Sequence, residues 1–242
     1  MPSVAVGIIC KTPMAGHCKT RLSPPLRREE CAGLSACFIR DLAATIDVLT
    51  GTDDVTGYGV YTPAGSETLL RALLPRSFRL LSQCDGDLGA RLRGAIADLL
   101  RDGHHGAILV NSDSPTLPLS ILRDAVRAVR QGDNVVLGPA LDGGYTLVGL
   151  SRSHDRLFAD IPWSTPQVHR LTLERAREID LPVVNVPQWY DIDDEYTLRL
   201  LQAELAGQHL EFAEPGLTGA EAPHTRRFLA NRSARARVRT LS

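Results

Sequence analysis

Lysine is almost missing from this chain. Of 27 basic residues only Lys11 and Lys19 are lysines; the other 25 are arginines. A lysine is a compact point charge on a flexible stem, whereas arginine is a planar fork. Either arginine-rich coding left two lysines together by chance, or this stretch holds something that needs a slender cation. Long apolar runs are missing too. None approaches the ~18 residues of a membrane span. The N-terminal stretch Val4–Cys10 is closed by Lys11 and has no basic n-region or cleavage pattern, so no secretory signal is expected. Five cysteines (10, 18, 31, 37 and 84) include no C-x-x-C pair. They read as reduced, mostly buried thiols of a cytosolic protein rather than a disulfide framework. No H-E-x-x-H or paired Cys/His spacing supports zinc. No G-x-S-x-G elbow surrounds Ser112 or Ser114. His104 and His105 read as surface residues at a helix end.

What is present suits an α/β domain with an appendage. The chain has 242 residues, 43% hydrophobic and 23% charged, enough for a core without disulfide or metal support. The net charge of −1 conceals an asymmetry. Six arginines and no acid lie between His224 and Ser242, while the preceding 223 residues hold 21 bases and 28 acids. The basic tail reads as a solvated or docked terminal segment. The acidic body argues against nucleic acid as the main partner. The expected division is 1–206 as the body and 207–242 as a C-terminal extension with the basic tail. Oligomeric state is open, a homo-oligomer included.

Apolar periodicity predicts strands over 4–10, 57–62, 78–81, 107–110, 135–138, 145–148 and 182–186. It predicts helices over 26–49, 66–74, 88–100, 118–130, 165–179 and 194–206. This alternation implies a Rossmann-like three-layer α/β/α sandwich with a mostly parallel mixed sheet. Ligands of such sheets bind beyond the carboxyl ends of the strands, so residues just after strands are the site candidates.

The first such loop runs Lys11-Thr-Pro13-Met-Ala-Gly16-His-Cys-Lys19-Thr-Arg21-Leu22. Small residues, three cations and a following helix suit phosphates; a basic surface loop is the plain alternative. The loop fails the G-x-x-x-x-G-K-[ST] pattern, because Gly16 stands too early and Cys18 precedes Lys19. Asp113 ends the fourth strand and reads as a ligand to magnesium or manganese, or as a helix cap. Asp193 offers a second carboxylate or a cap. Asp142, before Gly143 and Gly144, is a ligand-side residue or the start of a tight turn. Trp163 and Trp189-Tyr190 could stack on a base or sugar, with core packing as the default.

Together these motifs resemble a bacterial family with the nucleotide-diphospho-sugar transferase (GT-A-like) fold, whose members are assigned as glycosyltransferases. The resemblance rests on Lys11-x-Pro13-x-x-Gly16-x-x-Lys19-Thr20-Arg21-Leu22, Gly86-Asp87-Leu88-Gly89, Ser112-Asp113-Ser114-Pro115, Gly138-Pro139-Ala140-x-Asp142-Gly143-Gly144-Tyr145, Trp163-Ser164-Thr165 and Asp191-Ile192-Asp193. It spans about residues 4–205. The first loop is also similar to that of 2-phospholactate guanylyltransferases and, more distantly, molybdenum-cofactor nucleotidyltransferases. The family usually has Gly at Asn111, and Pro and Asp where this chain reads Asp194-Glu195-Tyr196.

The resemblance implies a nucleotide-activated donor, a divalent metal (Mg²⁺ or Mn²⁺) and a small-molecule acceptor. One expectation is a nucleotidyltransferase that moves NMP from an NTP to a phosphorylated acceptor and releases pyrophosphate. A glycosyltransferase using a nucleotide-sugar is the alternative, and a non-catalytic nucleotide-binding regulator a third. In the first reading Lys19, Arg21 and Asp113 are catalytic, and Asp113 and Asp193 hold the metal. Lys11, Pro13, Gly16, Lys19, Arg21, Gly86, Asp87, Leu88 and Gly89 bind the nucleotide. Asp142, Gly143, Gly144, Tyr145 and Trp163 shape the acceptor side.

Overall fold

The computed structural model describes the backbone of residues 2–240 and side chains over 2–234. Arg235, Arg237 and Arg239 of the expected basic tail lie outside the described side chains. Seven strands form one sheet: β1 (Val4–Lys11), β2 (Val55–Thr62), β3 (Arg79–Ser82), β4 (Gly106–Asn111), β5 (Val135–Pro139), β6 (Tyr145–Leu150) and β7 (Val183–Asn185). Their order is β3-β2-β1-β4-β6-β5-β7. Only β6 is antiparallel to its neighbours β4 and β5. The helices are α1 (Arg28–Thr50), α2 (Glu67–Arg71), α3 (Leu88–Arg101), α4 (Leu119–Val129), α5 (Val168–Glu178), α6 (Glu195–Leu205) and α7 (Pro223–Thr240).

Strand side chains alternate between faces, and β1 feeds two cores in this way. Val4, Val6, Ile8 and Cys10 join the layer of α1, α4, α6 and α7. Ala5 and the partly buried Ile9 join the layer of α3 and α5. The result is the three-layer α/β/α sandwich. No described helix is long and apolar enough to cross a membrane.

Topology sets the rim. Parallel β1 and β4 end side by side, with Ile9 opposite Asn111. Because β6 runs backwards, its first residue, Tyr145, reaches the same edge as the last residues of β4. The Asp142–Tyr145 turn is thereby carried to the mouth of the sheet. Beyond β7, a bridge between Ala140 and Trp189 brings the chain to that mouth again. Trp189 and Tyr190 are fully buried and pack against Phe212, so this aromatic pair is core.

Periodicity does not predict α7, which lacks an apolar stripe. Tertiary contacts hold it instead. The buried carboxylate of Asp41 accepts hydrogen bonds from the backbone N–H groups of His224 (2.9 Å) and Thr225 (2.8 Å). It thus caps a helix 183 residues away. The Phe228 ring lies where a side chain at Gly33 would be, 2.9 Å from a built Cβ. Leu210, Ala213, Ala222 and Leu229 complete the same core layer. Asp41→Ala should therefore cost about 0.5–2 kcal/mol, the range for a lost helix cap. Urea unfolding would measure the loss, and amide exchange should accelerate over residues 223–234 before it does elsewhere.

His104 departs from the surface expectation. Its side chain is 6% exposed and its ring bonds Ser3 Oγ (3.0 Å) and Tyr58 Oη (2.8 Å). Burial lowers its pKa. Adjacent His105 is exposed. The five thiols are free; Cys10 and Cys31 are buried and Cys84 is exposed.

Candidate active site

The carboxyl ends of β1 and β4, the Asp142–Tyr145 turn and the chain after Tyr190 surround an open cleft of about 570 Å³. At its base is Lys19. Its backbone is left-handed, with φ 50° and ψ 39°, at the head of a 3-10 turn, Thr20–Leu22, anchored by buried Leu22. A non-glycine residue there is uncommon. The Lys19 side chain is 5% exposed. Its ammonium donates to Ile192 O (2.6 Å) and to Asp193 Oδ1 (2.9 Å), and lies 2.8 Å from Asp113 Oδ2. Burial pulls the Lys19 pKa down, but Asp113 and Asp193 more than offset this and leave it above the ordinary lysine value.

Each carboxylate has local support. The backbone N–H of Asp113 donates to Asn111 Oδ1 (3.3 Å), and Ser112 Oγ donates to Asp113 Oδ1 (3.2 Å). Ile192 N–H donates to Asp113 O (2.9 Å), tying the two segments together. Asp194 caps α6, accepting from Thr197 N–H (2.9 Å), so the neighbouring Asp193 side chain faces Lys19. Asp191 lines the same cleft. Burial first, and then Asp142, Asp193 and Asp113, push its pKa up to about 7. Cys10 and Cys18 line the wall as neutral thiols. Burial and Asp113 push Cys10 up to about 12, and burial raises Cys18, which argues against thiolate chemistry.

Asp113 and Asp193 converge on one point with hard oxygen donors. Magnesium and manganese favour oxygen ligands, and magnesium typically takes one or two protein carboxylates with phosphate oxygens and waters. The donor chemistry therefore fits such an ion. Among the described residues no group of three or more His, Cys, Asp or Glu side chains could hold a metal, so substrate oxygens would have to complete the shell.

Around this base stand further cations. Lys11 lines the cleft at the end of β1. Arg21 is 71% exposed and 4.0 Å from Asp193 Oδ2. Arg91, one turn into α3, is steadied by its Nε donating to Gly86 O (3.0 Å). Leu88, 42% exposed, and Trp163 supply apolar wall. Asp142, Gly144 and Tyr145 line the far side. Asp142 Oδ1 accepts from Gly144 N–H (2.8 Å), forming a tight turn. Among the described residues the Tyr145 phenol oxygen is buried without a hydrogen-bond partner, and burial raises its pKa.

Pro13, Gly16, Gly86, Asp87, Gly89 and Gly143 are not among the residues that line the cleft, and Gly16, Gly86 and Asp87 are exposed. Asp87 caps α3, accepting from Ala90 N–H (2.8 Å). Gly89 admits the Trp163 indole, since a built Cβ would lie 2.6 Å from its Nε1. Gly143 has φ +85° and would meet Pro166 O at 2.2 Å. Sequence patterns do not single out Gln83 or Arg91 on the wall. Helical spacing after Leu88 was the available signal for Arg91. Gln83 had none; its Nε2 donates to Cys10 O and Val60 O, both at 2.9 Å.

The sequence profile of a family described as "Uncharacterized protein conserved in bacteria (DUF2064)" matches residues 45–165, half of the chain. No curated protein sequence matches. One similar solved structure, from Desulfovibrio desulfuricans G20, is provisionally assigned as a nucleotide-diphospho-sugar transferase. It superposes with a TM-score of 0.81 at 25% identity, over 97% of this chain and 96% of that one. A cytidylyltransferase from Leptospira borgpetersenii superposes with a TM-score of 0.55 at 10% identity, over 96% of each chain. A CMP:2-keto-3-deoxy-manno-octonic acid synthetase complexed with CTP gives 0.54 at 10% identity, over 85% of this chain and 99% of that one. With these last two the likeness is one of fold.

Proposed function

The chain belongs to this DUF2064 family, and from that premise we propose that it is a nucleotidyltransferase that moves NMP from an NTP to a small phosphorylated acceptor. More broadly, it is a nucleotide-using transferase. The observation that carries the reading is the cationic rim of Lys11, Arg21 and Arg91 around buried Lys19 and its half-exposed partners Asp113 and Asp193. A triphosphate brings about four negative charges into the cleft, and such a rim neutralises them.

The acceptor phosphate attacks the α-phosphorus, the α–β bond breaks and pyrophosphate leaves with the bond's electrons. The chain's own residues position and stabilise this charge. Lys11 faces the α-phosphate; Lys19 and Arg21 hold the β- and γ-phosphates. Leu88 packs against base or ribose, and Asp142, Gly144 and Trp163 shape the acceptor side. Asp113 and Asp193 would hold Mg²⁺ or Mn²⁺, which supplies charge neutralisation on the phosphates when bound.

A thermal-shift panel of the four NTPs with Mg²⁺ or Mn²⁺ tests the proposal. Stabilisation by one NTP, followed by pyrophosphate release with a phosphorylated acceptor, is expected. Arg91→Ala and Lys11→Ala should each weaken that NTP roughly ten- to hundredfold by calorimetry, the worth of one charged hydrogen bond. Unchanged affinity in both would remove the rim from the binding site.

Asp191 favours a second reading. Transfer of a sugar to a neutral hydroxyl needs a general base, and a carboxyl with a pKa of about 7 in the cleft suits that task. Stabilisation by UDP- or GDP-sugars, with no response to NTPs, would select this reading.

A further inference from the structure

The ammonium proposed to hold phosphate is paired with both carboxylates proposed to hold the metal. Lys19 Nζ lies 2.8 Å from Asp113 Oδ2 and 2.9 Å from Asp193 Oδ1. The lysine side chain is 5% exposed, the two carboxylates 30% and 44%. The ammonium thus sits on the inner side of a pair whose oxygens reach toward the open cleft. A divalent ion approaching these oxygens meets a cation already paired with them, and at such separations the two repel strongly. A polyphosphate changes the balance, because it offers the ammonium other anionic oxygens on the cleft side.

We propose that Lys19 is an exchangeable counter-ion: it closes the Asp113–Asp193 pair to metal in the empty cleft and is drawn onto the phosphates when polyphosphate enters. The carboxylates are then free for the metal that arrives with the nucleotide. This rests on the polyphosphate ligand proposed above and adds a consequence to it. Metal and polyphosphate bind with positive coupling, and linkage makes the coupling equal in both directions. It also gives a reason for lysine here in an arginine chain. An ammonium on a four-carbon stem can serve as a mobile point charge, whereas a guanidinium fork would bind the carboxylates in a fixed plane.

The scarcity of lysine makes the test clean. Protein labelled with ¹³Cε-lysine gives two side-chain signals, assigned with Lys11→Arg. Mg²⁺ alone should leave the Lys19 signal in place; Mg²⁺ with inorganic tripolyphosphate should move both signals. A shift of Lys19 with Mg²⁺ alone overturns the proposal. So does a shift of Lys11 while Lys19 stays unchanged, an outcome that leaves the polyphosphate site standing. If neither lysine responds, the polyphosphate reading falls as well. In a second measurement, without any phosphate, Lys19→Met should bind Mn²⁺ about tenfold or more tighter than the parent by electron paramagnetic resonance. Equal affinities overturn the proposal. Thermal unfolding checks that the variant is folded, and Lys19→Gln replaces it if it is not.

Discussion

Asp113→Asn should lower the transfer rate by roughly a thousandfold, the scale of losing one electrostatic element of a preorganised site. The substitution keeps shape and Asn can still accept from Ser112 Oγ, so the chain should still fold, with a stability cost from the 5% exposed Lys19 left with one carboxylate. Its effect falls on charge. Lys19 loses one of two anionic partners, and the proposed metal loses one of two carboxylates. Single-turnover pyrophosphate release in parent and variant would measure the loss. A variant that kept its full rate would place the reaction away from β4. A variant that kept nucleotide affinity and the protein's entire biological effect would instead point to a nucleotide-binding regulator.

Asp191→Asn should act on stability, and in a pH-dependent way. In metal-free protein held in EDTA, the Asp191 carboxyl titrates near 7 rather than near the ordinary 3.8. Between those values the folded chain holds a proton that the unfolded chain has released. The contribution of protonated Asp191 is therefore full below about pH 4, and is lost as pH rises to about 7. Three pKa units correspond to at most about 4 kcal/mol. Asn is a neutral isostere and escapes this loss. The variant should match the parent at or below about pH 4 and exceed it by up to that amount at pH 8. Urea unfolding at both pH values measures the difference. Equal slopes with pH in parent and variant would show that Asp191 titrates normally.

How much of this was legible beforehand differs between fold and site. The 182–186 strand prediction overshoots, since β7 has three residues, Val183–Asn185; a Pro has no N–H to give a sheet ladder. Helix α7 escaped because nothing in its own sequence marks a buried face; a remote carboxylate, Asp41, holds its first turn. Asp113 and Asp193, each a ligand or a cap by sequence alone, both turn to Lys19, and the neighbouring Asp194 is the residue that caps α6. A carboxylate at a strand–helix junction can serve ligand or backbone, and only its hydrogen bonds separate the two.

By itself the sequence determined the alternation of strands and helices, the three-layer class and the loops that reach the rim, because apolar period and turn chemistry act over a few residues. The tertiary structure decided the strand order, the reversal of β6 and the meeting of Lys19 with Asp193, 174 residues apart. It also decided which cation is buried and which carboxyl is driven up. Burial and Coulomb energy depend on distances through space, and local spacing along the chain carries no record of them.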